Sequence, residues 1–316
     1  MQAISPVIPN LLLKSKGYRY RAQKNGWKHI HLNKPDDRKC PSQIRIITWN
    51  ISFDMPGRVE RLERALRHLQ IDVLRCQEGG VPEPCCILLQ ELNVEAFPYL
   101  LKDQWVREYF VLTPISPEKW PVNAIYGNVT LISRSVPIVD CSIVHFGSSA
   151  QQRTGVVVDV RLQYPSRDED STSVLRIINT HLESLPSGFH ARRMQLQLLA
   201  KMLSAELKEW RGGIIAGDMN AIGPNEHEYP EEVGLDDAWK GSEDCEEGHT
   251  WGYQTASQYP AARLDKILYL PRRDYKLSEP KRVGVAVSVK DPTSGNDLPL
   301  FVSDHYGLDT VLRMSC

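Results

Sequence analysis

Six short apolar runs, each opened or closed by a carboxylate, amide or imidazole, constrain this chain more than any other feature. They are IRIITWN (44–50), ILLQE (87–91), VLRIINTHLES (174–184), GIIAGDMN (213–220), RLDKILY (263–269) and VSDHYGL (302–308). Runs of this length, rich in Ile, Val and Leu, read as buried strands. A polar head where such a strand stops is held rigidly at the edge of its sheet. One such residue is turn chemistry. Asn50, Glu91, His181, Asp218, Asn220, Asp265, Asp304 and His305, drawn from both ends of the chain, imply convergence on one site.

Between these runs the period changes. Arg58–Gln70 places Val59, Leu62, Leu66 and Leu69 on one helical face, with the arginines, Glu60 and Glu63 opposite. Ala191–Trp210 repeats the pattern through Met194, Leu198, Met202 and Leu203, and is expected to stop at Gly212-Gly213. VTLISR (129–134), GVVVDVRL (155–162), VGVAVSV (283–289) and LDTVL (308–312) read as further strands, and residues 71–85 as a loop. Many strands with a few amphipathic helices imply sheets packed face to face with helices outside, an α/β (α+β) sandwich. Residues 44–316 read as one domain. Residues 1–43 read as a basic N-terminal leader, with Lys14, Lys16, Arg19, Arg21, Lys24, Lys28, Lys34, Arg38 and Lys39 against Asp36 and Asp37. Such an arm fits nuclear targeting or nucleic-acid contact, and equally a disordered or surface-draped leader.

The 316 residues are 41% apolar, enough for a sizeable core. A net charge of −1 gives no global bias toward nucleic acid, though a local basic groove could be offset by acidic stretches such as Asp168–Asp170 and Glu243–Glu247. Both stretches also read as solvated loops. The seven cysteines are odd in number, include one adjacent pair and show no zinc spacing, so they read as reduced thiols. That usage fits the nucleus and/or cytoplasm. VIPNLLL (7–13) is too short for a secretory signal, and no apolar run nears the roughly 20 residues that span a bilayer. A soluble protein with no membrane partner is expected.

The convergent set has the parts for cleaving a phosphodiester. That reaction needs a cation on a non-bridging oxygen, a group that orients or deprotonates water, and donors for the developing charge. Magnesium takes oxygen ligands and keeps several waters, so one or two carboxylates suffice. Glu91 suits the direct ligand, with Asn50, Asp304 and Asp265 as further oxygens, directly or through water. Asp218 suits a water-activating base, and Asn220 can hold the nucleophile or a phosphate oxygen; GDMN alone would equally read as an Asx turn with a helix cap. His305 needs an orienting acid, for which Asp265 is the natural choice, and His181 is a second donor.

The six motifs, in this order, resemble the endonuclease/exonuclease/phosphatase superfamily, which includes pancreatic deoxyribonuclease and the exonuclease-type apurinic endonucleases. The resemblance covers nearly all of 44–316 and implies a four-layered α/β/β/α sandwich of the pancreatic deoxyribonuclease type. Within it, THLES followed by Arg192 and Gln195-Leu196, the segment Asp237-Ala238-Trp239, and HTWGYQ (249–254) look most like the 5′-tyrosyl-DNA phosphodiesterases. Those enzymes free a DNA 5′ end from a trapped topoisomerase peptide by cleaving a phosphotyrosyl bond. The resemblance implies Mg2+, with Mn2+ as a substitute, held around Glu91, Asn50 and Asp304. It implies Asp218 and Asn220 at the nucleophile and phosphate, and His305 and His181 on either side of the phosphate. Tyr126 of YGNVTLISR matches a substrate-contacting tyrosine, and Trp251 an aromatic near the DNA path. Ser184, in THLES, joins them as a substrate-binding residue. As alternatives, Trp251 reads as core and Tyr126 as a packing residue at a strand start.

Two departures bear on substrate. The tyrosyl-DNA enzymes continue after this motif with Leu-Arg, whose arginine grips phosphate, where this chain has Ala221-Ile222-Gly223-Pro224. Ser52 stands where an acid near the metal is usual, and no ubiquitin-binding module is expected ahead of the domain. The same chemistry on another phosphate ester, as in a nuclease, phosphatase, sphingomyelinase-like or deadenylase-like enzyme, is therefore the alternative. A binding module that kept only the fold would be expected to have lost Glu91 or the Asp304-His305 pair.

Overall fold

The computed structural model describes residues 9–32, 39–77, 79–147, 149–165, 171–204, 210–290 and 299–315. Lys34, Asp36, Asp37 and Arg38 of the basic segment, the acidic stretch Asp168–Asp170 and Cys316 lie outside the described residues.

Alternation within the first motif sets up the layers. In Gln43–Asn50, Ile44 and Ile46 face one way and Ile47 and Trp49 the other, as a strand buried on both sides requires. Ile44 and Ile46, with Cys86 and Leu88 from the neighbouring strand, pack against Val156, Val158, Ile177 and Ile214 of a second sheet. On the outer face of the first sheet, Ile47, Trp49, Ile87 and Leu89 pack under Leu62, Ala65 and Leu66 of the Arg58–His68 helix. On the outer face of the second, Val157, Ile178 and Ile215 pack under Leu196, Leu199 and Leu203 of the Phe189–Ser204 helix. The result is four layers, helix–sheet–sheet–helix.

One sheet runs in the order Leu11–Lys14, Ile138–His145, Thr154–Gln163, Thr172–His181, Trp210–Asp218, Asp265–Tyr269, Asp236–Asp237. The other runs Tyr275–Leu277, Gly307–Met314, Gln43–Asn50, Cys85–Asn93, Tyr126–Ser133, Phe110–Thr113, Tyr18–Arg21, Gly26–His29, with Lys281–Val283 also pairing to Gly307–Met314. Most pairs are antiparallel. Each sheet also holds a parallel pair joined by one of the two main helices: Gln43–Asn50 with Cys85–Asn93, and Thr172–His181 with Trp210–Asp218.

Four expectations need correction. The basic segment is not a leader apart from the domain: Leu11–Lys14 pairs with Ile138–His145, and Tyr18–Arg21 bridges Phe110–Thr113 to Gly26–His29. These strands lie at or next to the edges of their sheets, are exposed or half-exposed and mix charged with apolar residues, so they lack the apolar alternation that marks a buried strand. The second helix is recorded to Ser204 rather than Trp210, because Trp210 already pairs with Val174. VGVAVSV is two short strands, Lys281–Val283 and Ser288–Lys290, broken by positive φ at Gly284 and Ala286. Arg61 lies on the buried face of its helix, in line with Ala65 and Leu69, rather than opposite it. Residues 71–85 are mostly irregular as expected, apart from one wide helical turn at Leu69–Val73. Cys76, Cys85, Cys86 and Cys141 are buried free thiols, and no described helix is long and apolar enough to cross a membrane.

The two sheets are also joined by polar groups. Gln90 Nε2 donates to Asn179 Oδ1 at 2.8 Å and to Thr48 Oγ1 at 2.9 Å, and Asn179 Nδ2 donates back to Leu89 O and Val129 O. Replacing Asn179 by Ala would take one acceptor from the Gln90 amide and a side-chain donor from the Leu89 and Val129 carbonyls in the core. A loss of about 2–3 kcal/mol is expected in urea unfolding, against a few tenths for an exposed Asn→Ala change.

Candidate active site

Both parallel pairs deliver their C-terminal ends to one place. In the first sheet Asn50 is registered opposite Gln90, next to Glu91; in the second His181 is opposite Asp218, and Asp218 is opposite Asp265. The ends touch across the sandwich: Asn50 Nδ2 donates to Asp218 Oδ2 at 3.0 Å. Gly217, just before Asp218, has φ 145°, and a Cβ there would lie 1.8 Å from Thr180 O, so glycine lets the two strands close beside His181.

Glu91 sits on a bulge. The pairing of Cys85–Asn93 with Tyr126–Ser133 shifts register between Leu89 and Leu92, and Glu91 adopts a left-handed φ of 57°. Gln90 can therefore face the core while Glu91 turns to the cleft. Its Oε2 accepts the Phe53 N–H at 2.9 Å. Among the described residues no donor reaches Oε1, whose near neighbour is His181 Nδ1 at 3.7 Å. That nitrogen is itself an acceptor, because Arg153, which has no lone pair to offer, donates to it at 2.9 Å. His181 is thus the neutral tautomer with its proton on Nε2, an atom 3.4 Å from Asp218 Oδ2. Burial, Arg153 and His305 hold its pKa well below the ordinary histidine value.

Asp218, Asp265 and His305 form a buried acidic–histidine triad, with one potential ligand atom from each within 4.8 Å of the others. His305 Nδ1 bonds Asp265 Oδ2 at 2.7 Å, and its Nε2 lies 3.8 Å from Asp218 Oδ2. Burial alone would lower the His305 pKa, but Asp265, Asp304 and Asp218 raise it well above the usual range. The site therefore holds one cationic and one neutral imidazole. Asp218 is raised by burial and by Asp265 against the pull of His305, and its Oδ1 accepts the Asn220 N–H at 2.9 Å. Asn220 turns its own amide to Leu182 O at 3.1 Å.

The remaining sequence-derived residues fall in two groups. Asp304 joins the cluster: Trp251 Nε1 donates to its Oδ2 at 3.0 Å, and it adds to the charge felt by Glu91 and His305. Burial pushes the Asp304 pKa up, but His305, Trp251 and Ser52 outweigh this and hold it below the usual value. Trp251 is half-buried, so it both braces Asp304 and presents an indole edge. Tyr126 stacks on Phe53 with ring centres 4.0 Å apart, and its hydroxyl accepts from Arg153 at 3.1 Å. Ser184 is not brought to the cluster by any recorded contact; its hydroxyl bonds Gln151 at 2.8 Å.

Sequence reasoning missed Arg153, Phe53, Arg61 and Ser303. Arg153 follows Gln151-Gln152 at the start of an apolar strand, where nothing local separates it from a solvated arginine. Ser303 accepts the His305 N–H and donates to Asn50 O at 2.6 Å, tying the two motifs together. Only Arg61 left a signal, an arginine at helical spacing from buried residues.

No family model matches the chain, and no curated protein matches it by sequence. Solved structures match by fold. D. rerio TDP2 complexed with single-strand DNA product superposes with a TM-score of 0.64 at 19% identity, covering 86% of this chain and 99% of that one. Truncated Caenorhabditis elegans TDP2 gives 0.59 at 16% identity, over 86% and 97% of the two chains. The human Nocturnin catalytic domain with bound sulfate gives 0.51 at 18% identity, over 89% and 96%. The fold is that of the endonuclease/exonuclease/phosphatase superfamily. At these identities the likeness is one of fold, and the triad adds a site suited to a metal-dependent phosphoesterase.

Burial lifts the Glu91 carboxyl to about 7 despite the Phe53 N–H, so a cation bound there must displace a proton near neutrality. Affinity for Mg2+ or Mn2+ is expected to rise roughly tenfold per pH unit up to about pH 7 and to level off above it. Titration calorimetry across that range checks this; a flat profile would mean that Glu91 is no ligand.

Proposed function

We propose that this protein is a magnesium-dependent phosphodiesterase that cleaves a 5′-phosphotyrosyl bond between DNA and a peptide. The observation that carries the metal-dependent part is Glu91 Oε1. It is a carboxylate oxygen in a buried cleft whose near neighbour, His181 Nδ1, accepts from Arg153 and has no proton to give, and among the described residues no donor reaches it, an arrangement that calls for a proton or a cation. Glu91, Asp304 and the Asn50 carbonyl offer hard oxygens, which suit Mg2+. The Asp218–Asp265–His305 group is the less suitable holder, since His305 is cationic and its Nδ1 is already bonded to Asp265. A bound cation would neutralise charge on the phosphate and lower the cost of attack.

The chain's own groups supply the rest. Asp218, held by Asn50 and the Asn220 N–H, orients or deprotonates the attacking water. His305, kept cationic and aimed by Asp265, donates to a phosphate oxygen as charge builds. His181 is fixed by Arg153 with Nε2–H as its donor. Asn220, Tyr126 and Trp251 border the space left for substrate.

Support for the tyrosyl-DNA substrate comes from the motif resemblance, the TDP2-like fold and the Tyr126 rim. The Arg153 guanidinium lies 5.7 Å from the Tyr126 ring centre, and among the described residues no carboxylate forms an ion pair with it. It supplies a cation beside the phosphate that Ile222 does not. Ile222 itself, 44% exposed, favours a second reading in which a different phosphate ester is the substrate.

Purified protein with Mg2+ is expected to release tyrosine from a 5′-phosphotyrosyl oligonucleotide, and Glu91→Gln to abolish it. No turnover there, with rapid hydrolysis of a small phosphate ester, would replace the substrate assignment. Asp218→Asn is expected to cost about a hundredfold or more in kcat. Arg153→Ala is expected to weaken kcat/KM roughly tenfold to a hundredfold, through a lost charge-assisted contact of about 1.5–3 kcal/mol.

A further inference from the structure

Arg61 is only 2% exposed, yet among the described residues no carboxylate forms an ion pair with it. An arginine has five N–H donors in a rigid fork, and here all are spent on main-chain carbonyls. Nε donates to Pro56 O at 2.8 Å. Nη1 donates to Ile51 O at 2.7 Å and Val302 O at 2.6 Å, and Nη2 to Ser52 O at 2.6 Å and Met55 O at 3.0 Å. Four of these carbonyls belong to the loop that follows Asn50. The fifth precedes Ser303-Asp304-His305.

We infer that Arg61 is the positioning residue of the cation site. The loop it grips carries the Phe53 N–H that fixes Glu91 Oε2, and Ser52, whose left-handed φ of 54° is costly for a residue with a side chain. Gripping Val302 O at the same time fixes where Asp304 begins its turn. Phe53 O is held from outside by Arg58 Nε at 3.0 Å and Asn93 Nδ2 at 3.1 Å. One guanidinium thus sets the spacing between Glu91's anchoring amide and Asp304. Its charge also lies within reach of Asp304, Asp54 and Glu91, which lets these carboxylates crowd together before any cation arrives. A lysine has three donors on a flexible stem and cannot reproduce the fork.

This rests on the metal-dependent reading above, and the experiment separates the two. Mn2+ binding is measured by electron paramagnetic resonance on wild type, Arg61→Lys and Arg176→Lys. Arg176 is a control clamp far from the cleft that holds Asp159 and Met202 O. Arg61→Lys is expected to bind Mn2+ about tenfold or more weakly, whereas Arg176→Lys lowers Tm with Mn2+ affinity unchanged. Wild-type affinity in folded Arg61→Lys would overturn the positioning role alone, and absence of Mn2+ binding to wild type would overturn the metal-dependent reading with it. Should Arg61→Lys not fold, amide hydrogen exchange of wild-type residues 51–55 decides. Protection already present without cation, rising no more than about twofold with it, is expected of a preset loop; a rise above about tenfold would overturn the inference.

Discussion

The hydrogen bonds that cross between the two sheets are what the rest of this molecule depends on. Apolar packing between sheets is non-directional and would tolerate a sliding displacement of one against the other. Asn50 to Asp218 and Gln90 to Asn179 do not tolerate it, because each would leave a buried polar group unpaired at a cost of about 1–3 kcal/mol. They lie at the same end of the sandwich and span the interface where four motifs meet. The relative placement of Glu91, His181 and Asp218 is therefore fixed by polar contacts rather than by the bulk of the core.

With that placement fixed, electrostatics differentiates like groups. The two imidazoles share one neighbourhood but differ in their partners. His305 faces three carboxylates that outweigh its burial and raise its pKa; His181 is lowered by burial, with the Arg153 guanidinium and His305 adding to the effect. The carboxylates divide too, Glu91 and Asp218 being raised by burial and Asp304 lowered by its donors. Opposed shifts within one cleft are a mark of acid–base sites generally. They arise here from position alone, with no unusual residue.

Much of this was legible in the sequence because the strands that bear the site are buried on both faces. Their apolar runs are continuous, and each break in them is conspicuous. Asn50, Glu91, His181, Asp218, Asp265, Asp304 and His305 all come together. What stayed hidden depends on tertiary contact. Arg153 and Phe53 owe their places to strands and loops far away in sequence, and no local pattern marks them. Leu11–Lys14, at the edge of its sheet, and Tyr18–Arg21, next to the edge of the other, read as a leader because strands this short and exposed carry no buried apolar alternation. Ser184 followed from motif adjacency, and its hydroxyl bonds Gln151. VGVAVSV read as one strand because its composition is strand-like, while the break comes from dihedral angles at Gly284 and Ala286.

The irregularity at Leu89–Leu92 carries a cost that a regular ladder would not. An extra residue in the strand, with Glu91 in a conformation side chains avoid, gives up pairing with Tyr126–Ser133 at the place where the cleft opens. Removing one residue there would mend the ladder and relax the backbone, and would at the same time swing the carboxylate out of the cleft toward the helical layer. The distortion that weakens the ladder is thus the same one that aims the carboxylate, so pairing strength and cleft geometry make opposite demands on this one strand.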